Sequence, residues 1–401
     1  MNNRLSLRNF LITLCWVISL SSSLSSTIFA RQETNSQTQL LIRQLQDADK
    51  KVRIAAIEEA KRRGKDARAA LPALVALLKD QDDDLRKGAA EAIGKIGPEA
   101  KSSVPALIEA LKDKNSQVRS NAAYALGRIG PEAAPAVPAL SELLKDQSPW
   151  ARSNAAFALG RAGGAARDSI PALIELLKDQ NEVVRRDVAE ALGRIGPEAK
   201  AAAPTLALLL NDKSASVRGY AAESLGKIGP GAKAATPDII KSLKDQEFVV
   251  RMHSAQALGK IGVEAKEATP VWMELLKDQN ENIRCYAAEE LGRIGPEAKT
   301  AVTPLIASLK DQDRSVRVAA AKALGKIGIE AKSAAPALIA ILGDKEPLVR
   351  ATAATALGEM GDEAKAAIPT LSKLLEDPAP VVSLAASQAI NKLGSKGSKP
   401  Q

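Results

Sequence analysis

The chain has 401 residues, of which 45% are hydrophobic but only 2% aromatic, and it carries a single histidine. Its formal charge of +9 comes from 56 bases interspersed with 47 acids, a balance that favours solubility and lends slight support to an anionic partner. One histidine leaves little material for metal or acid–base centres, so burial falls to Ala, Leu, Ile and Val, and the abundance of Ala and Leu points to helices.

Arg4 and Arg8 precede an apolar run, "FLITLCWVISL" (10–20), and "SSSLSSTIFA" ends on Ala30. This order reads as a signal peptide over residues 1–30, which would place the protein outside the cytoplasm, in the periplasm or beyond. Left uncleaved, the same stretch would be a membrane anchor, and it is the one route to a membrane that the sequence offers. Residues 31–38 read as a linker. Cleavage leaves Cys285 as the sole cysteine, so no internal disulfide is expected and stability must come from packing.

From residue 39 onward one period organises the chain. Aspartate returns every 33 residues, from Asp47 through Asp113 and Asp245 to Asp377, which marks eleven repeats without insertion or deletion. Arginine follows six places later in ten of them, from Arg53 to Arg350, and a glycine column runs from Gly64 to Gly394. Each repeat reads as two helices. In "VPALIEALKDKNSQVRSNAAYALGRIG" (104–130), Val104, Leu107, Ile108 and Leu111 share one helical face, and Val118, Ala122, Ala125, Leu126 and Ile129 share another. Neither stripe can be buried alone, so neighbouring repeats must stack. The ends depart from the pattern as caps do: Gln39 fills a proline slot, "KRRG" (61–64) replaces the usual "LGxIG", and Ser383 stands where arginine is expected. A polar tail, 395–401, closes the chain.

The stretch "LIELLKDQNEVVRRDVAEALGRIG" (173–196), with Asp179 and Arg185 six apart, resembles HEAT repeats, in particular the short HEAT-like repeats named after the phycobilisome lyases. The resemblance covers about 40–394. It implies an all-α fold, an α-solenoid (right-handed superhelix) of eleven helix-turn-helix repeats over 39–394, with the second helices lining a concave face. Ankyrin repeats share the period but not the motif: "TPL" at 303–305 has no histidine after it.

Several motifs invite chemistry and do not support it. "GKIGPGAK" (226–233) approaches a phosphate-binding loop, but Ala232 stands where the lysine belongs and a helix, not a strand, precedes it. The Asp–Arg pairs read as a ladder bridging neighbouring repeats. The column Arg62, Lys95, Arg128, Arg161 and onward sits in the last turn of each second helix, where a cation offsets the helix dipole; as a stripe it could also track a polyanion. HEAT-like di-iron hydroxylases hold their metals with several histidines, and His253 alone, followed by Ser254, cannot supply that set. Cys285 and His253 lack a third group for a catalytic triad. No catalytic residue, metal or cofactor is expected.

The informative departures are aromatic. All seven aromatics after residue 30 fall between 124 and 286. Tyr124 and Phe157, one period apart, occupy a column that elsewhere holds Glu, Gln or Lys, with Asn121 and Asn154 on the same helices and Trp150 at the head of one. A second row is Tyr220, His253 and Tyr286. These eight residues are the candidate partner-binding set, with gap-filling between repeats as the alternative; Phe248 and Trp272 read as packing residues. The expected protein is a monomeric, non-catalytic, exported scaffold that binds a protein or peptide and no nucleic acid. Two alternatives stand beside it: chromophore handling of the phycobilin lyase kind, implied by the family name and opposed by export, and binding of a polyanion or the cell envelope through the basic column.

Overall fold

The structure is a computed structural model that describes residues 36–395, so the signal-peptide segment and most of the polar tail lie outside it. Among the described residues there is no strand, and no helix is long and apolar enough to cross a membrane. The chain divides into two compact units, one ending at Ala191 and the other beginning at Leu192, and each is a stack of helix pairs. Repeats are numbered here 1 to 11 by their aspartates, Asp47 to Asp377.

Repeat 3 shows the pattern. Its first helix enters as a 3-10 stretch, Gly97–Ser103, and continues as the α-helix Val104–Ala110. Pro98 and Pro105 each sit at the head of one of these pieces, where a missing N–H costs nothing. A tight turn then follows in which Asp113 accepts the Asn115 N–H at 2.8 Å. Asn115 in turn caps the second helix, Ser116–Ile129, by accepting the Gln117 N–H at 2.9 Å, an arrangement that contributes about 1 kcal/mol. Leu107 from the first helix and Val118, Ala122 and Leu126 from the second are fully buried. The helical stripes read from the sequence are therefore the core.

Two glycine columns do different work. Ten glycines with positive φ, from Gly64 to Gly361, end the second helices. Gly97, at φ 76 and ψ −138, adopts a combination that side-chain-bearing residues rarely reach. The last of this column, Gly394, instead lies inside the final helix, Pro380–Ser395. The other column lies one turn earlier and sets the spacing between second helices. A Cβ on Gly160 would stand 2.7 Å from the Cα of Ala191, and one on Gly226 would stand 2.8 Å from the Cα of Ala257. Glycine faces alanine so that backbones can meet.

Arginine ties the turns together as the sequence predicts. In the first unit Arg86 donates from Nε to Asp113 at 2.6 Å and from Nη1 to the backbone carbonyl of Asp80 at 2.8 Å. Arg119 and Arg152 repeat the bond with Asp146 at 2.6 Å and Asp179 at 2.7 Å. In the second unit Arg218, Arg251, Arg284, Arg317 and Arg350 reach Asp245, Asp278, Asp311, Asp344 and Asp377 in the same manner. Each guanidinium closes its own turn and clamps the next. At the start of the array the rung is looser: Arg53 approaches Asp80 at 3.7 Å, and its buried Nε has no hydrogen-bond partner among the described residues.

One step in the second unit breaks the pattern. Glu290, buried at 8% exposure, occupies the position held by Ala257 and Ala323 in the adjacent repeats. A Cβ on Gly259 would therefore meet the Tyr286 hydroxyl at 2.8 Å and the Glu290 carboxylate at 3.1 Å, with no backbone among its nearest atoms. Trp272, at 1% exposure, fills a core position that Ile239 and Leu305 fill in the flanking repeats. Gly262 turns fully left-handed, at φ 76 and ψ 52, and the first helix that follows is continuous over Ala265–Leu275. The helices Phe248–Ile261 and Glu281–Ile294 stand apart by the width of these side chains.

Candidate partner-binding site

The rings of Tyr124 and Phe157 stack at a centroid distance of 5.8 Å and an interplanar angle of 20°. Tyr124 belongs to Ser116–Ile129 and Phe157 to the next second helix, Pro149–Ala162. Each ring is seated over the glycine of the preceding repeat: a Cβ on Gly94 would touch the Tyr124 ring at 3.4 Å, and one on Gly127 would overlap the Phe157 ring at 2.5 Å. The spacing glycines thus provide room for the rings, and both rings end half-buried with one side outward. Trp150 lies two helical turns before Phe157 on the same face and is 64% exposed. An indole left in water two turns from a stacked aromatic pair, on the same helix face, is a surface feature suited to anchoring a partner.

The asparagines of this set do something else. Asn121 donates its amide to the backbone carbonyl of Lys87 at 3.1 Å, and Asn154 donates to the carbonyl of Ser120 at 3.1 Å and to its hydroxyl at 2.9 Å. His253 places Nδ1 3.0 Å from the carbonyl of Gly219. All three residues bind a carbonyl of the preceding second helix, so this column staples one repeat to the one before it. Tyr220 is half-buried on Ala215–Ile228.

Tyr286 joins a different cluster. It meets Trp272 edge-on at 5.9 Å and 74°, and Glu290 beside it accepts from Arg293 Nε at 2.9 Å. Burial, with Glu290 adding to it, pushes the Tyr286 hydroxyl up to about 12. Desolvation likewise pushes the Cys285 thiol up to about 11, which suppresses the thiolate a nucleophile would need. Among the described residues no group of three or more His, Cys, Asp or Glu side chains could hold a metal ion. Trp272 is in the core as its column requires, whereas Phe248, read as a packing residue, is 38% exposed at the head of its helix.

Arg128 and Arg161, read from the sequence as helix-end cations or part of a polyanion track, are exposed one turn beyond Tyr124 and Phe157 and have no ion-pair partner among the described residues. One feature escaped the sequence. In the second unit, Leu348, Val381 and Leu384, exposed at 57%, 50% and 60%, border a cleft of about 500 Å³ with Val318 and Ala351. Aliphatic residues on a free helix face look like core in a sequence, which is why this cleft was not legible there.

A family model described as HEAT repeats matches six overlapping stretches: 38–104, 99–140, 137–207, 202–271, 269–346 and 335–401. The chain belongs to the HEAT-repeat family. Comparison with curated proteins found no match. Among solved structures this HEAT-repeat chain is similar to an engineered protein, at a TM-score of 0.58 and 25% identity over 80% of this chain and 98% of that one. It is similar in fold to importin beta, at a TM-score of 0.59 and 16% identity over 91% of this chain and 56% of that one. It is also similar in fold to Kap95p, whose binding induces the switch loops of RanGDP to adopt the GTP-bound conformation. That likeness has a TM-score of 0.53 and 15% identity over 88% and 57% of the two chains.

Proposed function

We propose that this HEAT-repeat protein is an exported, non-catalytic, monomeric scaffold that captures a protein or peptide partner on the free face of its second helices in repeats 3 and 4. The observation that carries the reading is the 64% exposure of Trp150, on the same helix face as the Phe157 ring that stacks on Tyr124. Kap95p, of similar fold, acts on a protein partner, and solenoids use their extended helix faces in this way. Export rests on the reading of residues 1–30 as a signal peptide.

Trp150→Ala is the informative substitution, because Tyr124 and Phe157 are also packing residues in their glycine seats and Trp150 is not. The test is capture from a periplasmic extract by wild type and by Trp150→Ala, with identification by mass spectrometry and melting curves in parallel. A protein retained by the wild type, lost from the variant and accompanied by an unchanged melting temperature supports the reading. Identical captured sets count against it.

A further inference from the structure

We infer that the second helices of repeats 9 to 11 form a docking groove for an amphipathic helix of a partner protein, whose aliphatic stripe fills the groove and whose flanking carboxylate meets Lys322. This site is separate from the face at repeats 3 and 4 and stands or falls independently of it.

Departures from the repeat pattern build the groove. Leu348 and Val381 stand in a column that holds Ser216, Asn282 and Ser315 earlier in the unit, with Val249 the exception. Leu384 stands in one that holds Ser120 and Ser153 in the first unit. On the helices Arg314–Ile327, Pro347–Met360 and Pro380–Ser395 they join Val318 and Ala351 in an aliphatic lane. The threonines of the lane do not interrupt it. Thr352 donates its hydroxyl to the Leu348 carbonyl at 2.8 Å and Thr355 to the Ala351 carbonyl at 3.0 Å, which leaves their methyl groups for a ligand. The cleft of about 500 Å³ adjoins another of about 330 Å³, and the two share Val318, Lys322 and Leu348.

Charge marks the partner. Lys322 lies one turn after Val318 on the same face, exposed and without an ion-pair partner among the described residues. The other charges of the larger cleft, Lys326 and Glu359, face each other at 3.7 Å. In the smaller cleft Arg314 faces Glu346 at 3.7 Å, and Glu289, one repeat before Lys322 in the same column, lines that cleft only. The larger cleft therefore carries one uncompensated charge, and it is positive.

Spacing selects the form of the ligand. Packed helices lie roughly 8–10 Å apart, so Leu348 and Val381, equivalent residues on adjacent second helices, are about that far apart. A ligand helix rises about 1.5 Å per residue, which sets its residues i and i+7 about 10.5 Å apart on one face, with i+3 or i+4 between them. A strand repeats a face roughly every 7 Å and does not match that step. Helices that lay an apolar stripe into a hydrophobic groove are a recurrent mode of recognition. An acyl chain fits less well, because Leu348, Val381 and Leu384 are exposed and small-molecule pockets enclose most of their ligand. A second copy docked about a two-fold axis here would bring Lys322 towards its own equivalent.

The test titrates the whole chain into a fluorescein-labelled helical peptide of alanine and glutamine, with leucines at i, i+3 and i+7 and glutamates flanking them, and reads fluorescence anisotropy. Saturable binding is expected, weakened at least about tenfold by Leu348→Ser with Leu384→Ser at an unchanged melting temperature. Serine already occupies both columns in other repeats, so this variant should fold. Lys322→Glu should weaken binding about threefold, and lysines in place of the peptide's glutamates should restore it. Absence of binding, equal binding of a peptide with its leucines scrambled off the stripe, or indifference to the leucine pair overturns the inference. A charge swap without recovery overturns the carboxylate assignment. Tighter binding of dodecanoate at the same leucines would make the groove an acyl-chain site, and a dimer in sedimentation that the leucine pair dissolves would make it a self-interface; either overturns the inference. The two sites separate in the same assay: loss of the peptide by Trp150→Ala but not by the leucine pair would move the helix to the first unit and overturn this assignment.

Discussion

Two aromatic clusters, built from the same kinds of residue on the same scaffold, end in opposite roles. At repeats 3 and 4 the Tyr124 and Phe157 rings lie over intact glycine steps, and the backbones still meet: a Cβ on Gly127 would stand 3.1 Å from the Cα of Ala158. At repeats 7 and 8, Tyr286 and Glu290 occupy the space between the helices, and Trp272 disappears into the core. The first cluster adds a surface to an undisturbed frame. The second alters the frame. What separates them is the residue in the small-residue column: Ala125 and Ala158 keep the close contact, whereas Glu290 forbids it. Aromatic content in a repeat protein therefore says nothing about function until the small-residue column beside it has been read.

The comparison can be broken most forcefully at the ladder. Arg119→Ala should cost about 3 kcal/mol, because it leaves the partly buried Asp146 without its partner. Arg251→Ala should open repeats 7 and 8 more readily in hydrogen exchange than Arg119→Ala opens repeats 3 and 4, since at the altered step the rung to Asp278 must act without a glycine–alanine contact. Equal protection in the two variants would mean that the wider step is no weaker.

The glycines give the next effect. Gly226→Ala, whose new Cβ would press on backbone at 2.8 Å, should destabilise by about 2 kcal/mol. Gly259→Ala, facing the movable ends of Tyr286 and Glu290, should cost less than about 1 kcal/mol by chemical denaturation. Restoring the common residues at the altered step, Glu290→Ala with Trp272→Leu, should stabilise the second unit by about 1 kcal/mol. The same exchange of a variant residue for a common one at the surface cluster, Tyr124→Glu, should fail to stabilise and should impair binding.

Titration gives the smallest effect and separates the two ends of the pH scale. The Arg218 hydrogen bond, opposed by desolvation, holds the Asp245 carboxyl below its ordinary value. Its contribution is complete above the unfolded carboxylate pKa and is lost as pH falls through the folded one, so the ladder should weaken only in acid. Tyr286 runs the other way: raised to about 12, it favours folding fully below the ordinary tyrosine value near 10, and that contribution declines as pH rises towards 12. Thermal melts from pH 9 to pH 11.5 should therefore lose stability less steeply in Tyr286→Phe than in the wild type.

Much of this was legible in the sequence because the repeats state it eleven times. The period, the helix pairs and the Asp–Arg rungs all follow from residues whose partners recur at fixed offsets. What was hidden depends on contacts between repeats. The amides of Asn121 and Asn154 looked available for a partner and are spent on the carbonyls of the preceding helix. The glycine column from Gly64 to Gly394 stands out in the sequence, whereas nothing local gives a role to the column of Gly193, which spaces the second helices. Nothing local marks the position of Glu290 as the alanine column. Arg128 and Arg161 read as helix-end cations or as part of a polyanion track, and only the positions of the acids around them show that they have no ion-pair partner among the described residues.

The central claim is that partner capture belongs to the surface cluster and not to the buried one. Capture of the extract-identified partner by three proteins, wild type, Trp150→Ala and Glu290→Ala with Trp272→Leu, tests it directly. The account predicts at least about a tenfold loss of affinity for Trp150→Ala at an unchanged melting temperature, and near wild-type affinity for the repaired pair. Retention by Trp150→Ala together with loss by the repaired pair would contradict it and move the binding site to repeats 7 and 8.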